Sequence, residues 1–509
     1  MNVNITKSAF IEKAKKGRVP PLYRETPYAE PHSVYEKLCR RGNRNSPYSM
    51  LLESVRGPHK IAHYSFIAFE PYLVLSAKDG ELKVQAPWTK KEALSFRHPL
   101  ERLKELVAAC PQEMAPGLPP FQGGAIGMLS YDFVRYIEDI PRNAVDDLQL
   151  PDAHFMMVDR VVAFDHLEKR AWIIVSPGVR HTELGFRDIK DIDWAEPYDE
   201  ATALIEGIAA TMKGQEPKET ISETAHLPRA SCPSPPLQYE MTKERYMDMV
   251  RRAKEYIAAG DIFQANLSQR ISAPIGESDP WDIYKVLRRI NPSPFAAFVD
   301  FGDYQIVSSS PERLVRVKDR TIETRPIAGT RPRGKNRSED EVLRAELLLN
   351  EKERAEHIML IDLERNDIGR ISEYGSVAVD ELMITEDYSH VIHIVSNVKS
   401  LLRADKTCFD VIRATFPGGT ITGVPKVRCM EIIDELEPVT RGAYTGSLGY
   451  VGFSGSMDLN IIIRTFVIKK GRAYVQAGAG IVADSDPERE YYETLKKAEA
   501  LIKTLEQLK

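Results

Sequence analysis

The chain has 509 residues, 43% of them apolar and 28% charged, which is ordinary for a globular protein of two to four domain-sized units and excludes fibrous or disordered classes. A net charge of −5 and a pI near 6.2 provide no basic field for nucleic acid or anionic lipid, so neither is an expected partner. The five scattered cysteines, Cys39, Cys110, Cys232, Cys408 and Cys429, contain no CxxC pair. With no signal-like N-terminus and no long apolar run, a cytoplasmic protein that makes no membrane contact is expected.

Residues 1–213 alternate short β-rich runs (YSFIAF, YLVLSA, HFMMVDRVVAFD, AWIIVS) with turn signals, and only a few helical patterns intervene, notably at 99–110 and 199–213. This region is predicted to be sheet-rich. Residues 214–238 read as a linker, because four prolines between Pro228 and Pro236 discourage helix and sheet alike. From 239 to 509, strands (FAAFVDF, YQIVSSS, AYVQAGAGIVA) mix with helices expected at 242–259, 281–290, 338–361, 426–435 and 487–507. There is no repeat of 20 to 50 residues, and strict βαβ alternation is missing, which argues against a doubly wound nucleotide fold.

Six constellations have residue types suited to chemistry. Glu353 and Glu356 lie three apart on one predicted helix, and Glu490 and Glu493 repeat the device on another, where Asp486 can cap and Pro487 sits at the first position. Each pair alone reads as a solvated helix face; if the two helices meet, four carboxylates converge, an arrangement suited to Mg²⁺ or Mn²⁺ rather than zinc. The loop FPGGTITGVPK carries Thr420 after two glycines but lacks GK[ST], so ATP binding is not expected. In AGAGIVA, Gly478 and Gly480 leave backbone N–H groups open to a ligand carboxylate. RPIAGTRPRGK places Gly329 and Thr330 in a turn among basic residues, which reads equally as a charged surface hairpin. Arg464, Tyr444 and His393 are polar residues read as lying inside apolar strands, where an arginine needs an anionic partner and a histidine is as easily a satisfied core residue. No cysteine sits in a glycine-flanked elbow, so if ammonia is a nucleophile here, another chain supplies it.

RPIAGTRPRG, KERAEHIMLIDLERND, PGGTITGVPK and AGAGIVADSDPE, in this order, resemble the chorismate-utilising family: the first components of anthranilate and aminodeoxychorismate synthases and the isochorismate and salicylate synthases. The resemblance implies an α+β fold, a large interlaced body with two packed antiparallel-rich sheets flanked by helices. It further implies that Glu356 and Glu493, with Glu353 and Glu490 beside them, hold Mg²⁺, and that the metal holds the C1 carboxylate of chorismate. Arg464 and Tyr444 match positions that grip the enolpyruvyl carboxylate. Gly329, Thr330, Thr420, Gly478, Ala479 and Gly480 match positions lining the substrate. Glu312 matches the general acid for the departing C4 hydroxyl, His393 a histidine associated with pyruvate loss, and Gln264 the place where water-adding relatives carry a lysine base. Ammonia from a separate glutamine amidotransferase subunit is the implied nucleophile.

The product branch is divided. Ala328 in PIAGT resembles the anthranilate enzymes, as do LLES with Ser54 and NPSPF with Pro294 and Phe295, which resemble their tryptophan site. Ala296 departs from the methionine usual there. PGGTITG, DLERND and MDLNIIIRT look like the aminodeoxychorismate branch, and the balance of motifs favours 4-amino-4-deoxychorismate over anthranilate. A non-catalytic tryptophan sensor would have lost a metal glutamate or Glu312, and all are present.

Overall fold

The computed structural model describes residues 3–40, 47–58, 60–87, 91–95, 97–109, 112–182, 192–214, 236–387 and 391–508. Cys110, Cys232 and most of the predicted linker 214–238 lie outside the described residues.

Two twelve-stranded sheets dominate, with antiparallel pairing throughout their interiors, and helices flank them, as the resemblance implies. From edge to edge, the first sheet runs Leu22–Pro27, Arg170–Val175, Arg160–Asp165, Tyr64–Phe69, Ser49–Glu53, Phe295–Asp300, Tyr304–Ser310, Thr465–Lys469, Arg472–Ile481, Gln264–Pro274 and Gln238–Tyr239, with the short twelfth strand Gly423–Val424 also paired to Gln264–Pro274. The second runs Ile327–Pro332, Val391–Leu401, Thr321–Thr324, Arg313–Lys318, Met457–Asn460, Ser447–Gly452, Gly124–Leu129, Ala153–Val158, Leu73–Lys78, Glu81–Ala86 and Lys91–Ser95, with the twelfth strand Ala378–Asp387 also paired to Val391–Leu401. Each sheet therefore takes strands from both sides of residues 214–238, and they join where Ala296 pairs with Glu53 and Tyr450 with Ile126.

Outward from those two joints, the strand order on one side mirrors the order on the other. Ser49–Glu53, Tyr64–Phe69, Arg160–Asp165 and Arg170–Val175 answer Phe295–Asp300, Tyr304–Ser310, Thr465–Lys469 and Arg472–Ile481. A helix closes each series, Ala195–Lys213 in one and Pro487–Glu506 in the other. The topology is thus duplicated at a period far longer than the short repeats sought in the sequence.

In each series the chain passes twice between the sheets. In the C-terminal series, Pro311 and Glu312 link Tyr304–Ser310 to Arg313–Lys318, and residues 461–464 return the chain from Met457–Asn460 to Thr465–Lys469. The two links are hydrogen-bonded neighbours: Ile461 N–H donates to the Glu312 carbonyl at 3.0 Å, and Ser309 N–H to the Arg464 carbonyl at 3.1 Å.

The helix expected at 338–361 is two helices, Arg337–Leu349 and Glu351–Gly369. Asn350 ends the first and caps the second, its side-chain oxygen accepting from Glu353 N–H at 3.0 Å, a stronger local preference than continued helical periodicity. The short helices Lys7–Lys15, Pro31–Cys39 and Cys408–Thr415 were not predicted. Among the described residues, no helix is long and apolar enough to cross a membrane.

Phe298 ties the two series together. It is fully buried, with Trp281 edge-on at 5.1 Å and Tyr284 at 6.0 Å from one side of the linker, and Tyr35 at 5.7 Å from the other. Phe298→Ala is expected to destabilise the chain by about 3–5 kcal/mol, read as a lowered urea midpoint at unchanged slope. An unmoved midpoint would show that this cluster does not hold the halves together.

Candidate active site

Glu312 lies in the first link between the sheets and is buried, its carboxylate accepting from the Thr420 hydroxyl at 2.8 Å. Thr420 belongs to the short turn Gly419–Ile421, which packs against the helix Glu351–Gly369 through Leu363. Burial pushes the Glu312 carboxyl up to about 7, against the Thr420 hydrogen bond and the positive charges of Arg464 and Lys497. An acid with such a value is partly protonated at neutral pH and suited to giving a proton away.

The helices Glu351–Gly369 and Pro487–Glu506 bring the acidic pairs to one region. Gln264 Nε2 donates to Glu356 Oε1 at 3.3 Å, Arg331 donates to Glu353 Oε1 at 3.2 Å, and Lys497 Nζ lies 2.9 Å from Glu493 Oε1 and donates to the Gly478 carbonyl at 2.9 Å. Burial, joined by the neighbouring Glu353, raises the Glu356 carboxyl above its ordinary range; burial and the neighbouring Glu493 do the same for Glu490. Lys497 and Lys352 oppose both shifts, so the same two ammonium groups act on carboxylates of both helices.

His393 stands on the strand Val391–Leu401 with Nδ1 at 3.0 Å from the Thr330 hydroxyl and 3.1 Å from the Gly329 carbonyl. Burial, aided by the charge of Arg464, depresses it to about 4, so its ring is neutral at pH 7. Gly329 has φ +61°, and a Cβ there would meet Glu353 Oε2 at 2.9 Å and Leu347 Cδ1 at 3.0 Å. Across the site, a Cβ on Gly478 would strike Asn266 Oδ1 and come within 2.8 Å of the Tyr444 hydroxyl, and one on Gly480 would lie 2.5 Å from Gln264 Nε2. The glycines make room for these polar tips as well as baring backbone. Ala479 is fully buried on the opposite face of the strand, as the period of two requires, so only its backbone can face a ligand.

The donor set suits a hard cation: four carboxylates in two close pairs, two of them with pKa values raised by burial and a like-charged neighbour. Among the described residues, no three His, Cys, Asp or Glu side chains are grouped to ligate one ion. This still fits Mg²⁺, which keeps several waters and takes one or two carboxylates together with its substrate. One carboxylate from each helix meets that requirement.

A family described as chorismate binding enzyme matches residues 47–503. The chain belongs to the chorismate-binding enzyme family. It is 42% identical to anthranilate synthase component 1 of Acetivibrio thermocellus, over 97% of each chain. It is 44% identical to aminodeoxychorismate synthase component 1 of Bacillus subtilis, over 93% of this chain and 94% of that one. Among solved structures, anthranilate synthase component I from Streptococcus pneumoniae superposes with a TM-score of 0.72 at 36% identity, covering 87% of this chain and 92% of that one. The menaquinone-specific isochorismate synthase of Escherichia coli shares the fold, with a TM-score of 0.66 at 17% identity over 96% of this chain and 95% of that one.

Within this chorismate-binding enzyme, the structure gathers Glu312 with Thr420, Gln264 with Glu356, Gly329 with Glu353, Thr330 with His393, and Tyr444 with Gly478. Arg464 and Tyr444 differ from expectation. Neither lies in a strand: Arg464 is partly exposed at φ +50° in the link between the sheets, and Tyr444 is in a turn, because the flanking apolar runs are crossover and turn segments filling the space between the sheets. Lys497 escaped the sequence reading, although its i,i+4 spacing from Glu493 marks it. Asn266 was also missed, and no spacing in the sequence announces it.

Ser54, Pro294, Phe295 and Ala296 lie away from the glutamates, lining a cavity of ≈ 160 Å³ between the sheets together with Glu53 and Tyr450. The Ser54 hydroxyl donates to the Pro294 carbonyl at 3.1 Å, and the buried Glu53 accepts from Tyr284 at 2.6 Å and Arg288 at 2.8 Å.

Gly329→Ala is expected to cost about 1–2 kcal/mol in backbone conformation alone and to displace Glu353. Urea unfolding checks the first effect, and weakened Mg²⁺ binding by calorimetry the second. A G329A variant of parental stability would contradict the geometry of this turn.

Proposed function

We propose that the chain is the synthase component that aminates chorismate with ammonia, replacing the C4 hydroxyl to give 4-amino-4-deoxychorismate and water. The observation that carries the amination reading is Glu312, a buried carboxyl raised to about 7 and hydrogen-bonded to Thr420. It gives its proton to the C4 hydroxyl as that group leaves as water, a step needed because hydroxide is a poor leaving group. Arg464, partly exposed in the link beside Glu312, and Tyr444 bind the enolpyruvyl carboxylate. Gly329, Thr330 and Thr420 border the ring, and the neutral ring of His393 stays ordered by Thr330 and the Gly329 carbonyl. Glu356 and Glu493 would hold Mg²⁺, with Glu353 and Glu490 beside them; when bound, the metal would anchor the C1 carboxylate and draw charge from the ring.

Of the motif differences that favour the aminodeoxychorismate branch, Glu364 of DLERND is one whose carboxyl feels the charge of Glu312. It is buried, accepts from the Thr324 hydroxyl at 2.8 Å, and is pushed up to about 7 by burial and by Asp367, with a smaller contribution from Glu312. Anthranilate, with release of pyruvate, is the second reading. It is favoured by Ala328, which offers no side-chain nucleophile, and by the cavity beside Ser54 and Pro294, which suits tryptophan. In both readings the nitrogen comes from a separate glutamine amidotransferase subunit, in the cytoplasm.

The deciding experiment incubates the purified chain with chorismate, Mg²⁺ and ammonium chloride and identifies the product by mass and fluorescence. An amino product that keeps the enolpyruvyl group is expected, formed from ammonium but not from glutamine. Anthranilate and pyruvate would establish the second reading, and no chorismate consumption would reject both.

The acid assignment has its own signature. kcat/KM should be level below pH 7 and fall about tenfold per unit above it, as Glu312 loses the proton it must donate. Thr420→Val removes a hydrogen bond that favours the charged carboxylate, so the inflection should move upward by about one unit. A profile unmoved in this variant, or one that rises through pH 7, would remove Glu312 from the role.

A further inference from the structure

The edge of the strand Gln264–Pro274 that faces away from Arg472–Ile481 is covered by two short strands, Gly423–Val424 opposite Gln264 and Ala265, and Gln238–Tyr239 opposite Ile271 and Ser272. Between them a buried ion pair, Arg441 with Glu437, takes the place of a strand. The Asn266 carbonyl accepts from Arg441 Nη2 at 2.6 Å, and Ser268 N–H donates to Glu437 Oε1 at 2.8 Å. These backbone groups stand off the ladder, so the pair meets a need that strand pairing leaves open.

Arg441 does more than close that gap. Its fork meets Glu437 through Nε at 2.9 Å and Nη2 at 2.7 Å, while Nη1 donates to the Ile421 carbonyl at 3.0 Å and to the Thr445 hydroxyl at 3.3 Å. Together with the Asn266 carbonyl, these contacts engage every N–H of the guanidinium. Burial works against its charge, and Glu437 outweighs burial, so Arg441 stays cationic. The guanidinium lies over the Tyr131 ring at 4.8 Å and the Tyr444 ring at 5.6 Å. The Arg441 carbonyl accepts from Tyr444 N–H at 3.1 Å and so closes the turn that carries Tyr444. Tyr131 and Asp132, from the other half of the chain, hold Gly442 of that turn: Tyr131 N–H donates to its carbonyl at 2.7 Å, and Asp132 accepts from its N–H at 2.9 Å.

Each segment gripped by Arg441 carries a residue of the proposed site. Ile421 follows Thr420, the donor to Glu312; Thr445 follows Tyr444; and Asn266 closes with Tyr444 over Gly478. We infer that Arg441 is a positioning residue, whose fork sets the spacing of these three walls and with it the fit of the substrate's enolpyruvyl carboxylate against Tyr444. The inference rests on chorismate being the substrate. A buried ion pair is in itself a poor source of stability, so the value of this one is geometric. Lysine could meet Glu437 as a point charge, but it could not hold the Ile421 and Asn266 carbonyls and the Thr445 hydroxyl at once.

The test compares Arg441→Lys with the parent, measuring product formation by the full chain at varied chorismate with ammonium chloride and Mg²⁺ present. The chorismate KM should rise about tenfold, more than kcat falls, with the KM for ammonium within about twofold of the parent. The inflection of kcat/KM near pH 7 should also move upward, the direction expected of Thr420→Val, because Ile421 no longer holds Thr420 on Glu312. Should R441K fail to fold by circular dichroism, Glu437→Gln carries the same expectation, since its amide turns an N–H toward Arg441 Nε and loosens the fork without removing it. A folded variant with a lowered urea midpoint but the parental chorismate KM and pH profile would make Arg441 a support of the core alone and overturn the inference. An equal rise in both KM values would overturn it too, as the loss of the whole site. A parent chain that converts no chorismate sinks the chorismate reading instead.

Discussion

The site depends on one constraint: where a chain leaves one sheet for another, its backbone groups leave the ladder and must find partners elsewhere. In the C-terminal series the two crossings satisfy each other, Ile461 N–H with the Glu312 carbonyl and Ser309 N–H with the Arg464 carbonyl. That exchange places a buried acid and a guanidinium in adjacent links, each anchored at both ends by a strand. Neither residue sits on a loop free to drift, so the low polarity that raises Glu312 and the charge of Arg464 that opposes it are fixed together.

The N-terminal series has the same crossings, at residues 70–72 between Tyr64–Phe69 and Leu73–Lys78, and at Asp159 between Ala153–Val158 and Arg160–Asp165. There the links are closed by ion pairs. Arg160 donates to Glu70 at 2.8 Å and to Asp159 at 3.1 Å, and Arg180 donates to Asp159 at 2.6 Å. Each carboxylate meets a guanidinium directly, so Asp159 is held below its usual range although burial alone would raise it. Glu312, by contrast, meets a hydroxyl and only the field of more distant cations. One topology therefore produces a structural clamp in one half and a titrating acid in the other, according to whether an arginine reaches the carboxylate.

These relations were unevenly legible in the sequence. The acidic pairs could be read because i,i+3 spacing on a helix is local, and Lys497 could have been read by the same rule. Strands with clear alternation or apolar runs were recognisable, whereas Arg464 and Tyr444 were misplaced because apolar residues that fill the space between two sheets look like strand. Asn350 hid a helix break, since its capping bond competes with a periodicity that continues across it. The crossings and the duplicated strand order left no local signal, because they are set by pairing between residues far apart in sequence. Asn266 was invisible for the same reason: its importance arises from Gly478 on the neighbouring strand.

The four glutamates are the remaining electrostatic problem, and their burial shows how it is met. Arg331 lies on Glu353 and Lys497 on Glu493, so the outer member of each pair has a direct cation. Glu356 has the Gln264 amide, and Glu490 a hydrogen bond with Ser485; both are raised by burial and by a like-charged neighbour. A neutral hydrogen bond does not balance a buried negative charge, so these two carboxyls are the least compensated of the set. A hard divalent ion held between the helices would bring compensating charge to both, which is the physical support for the proposed Mg²⁺.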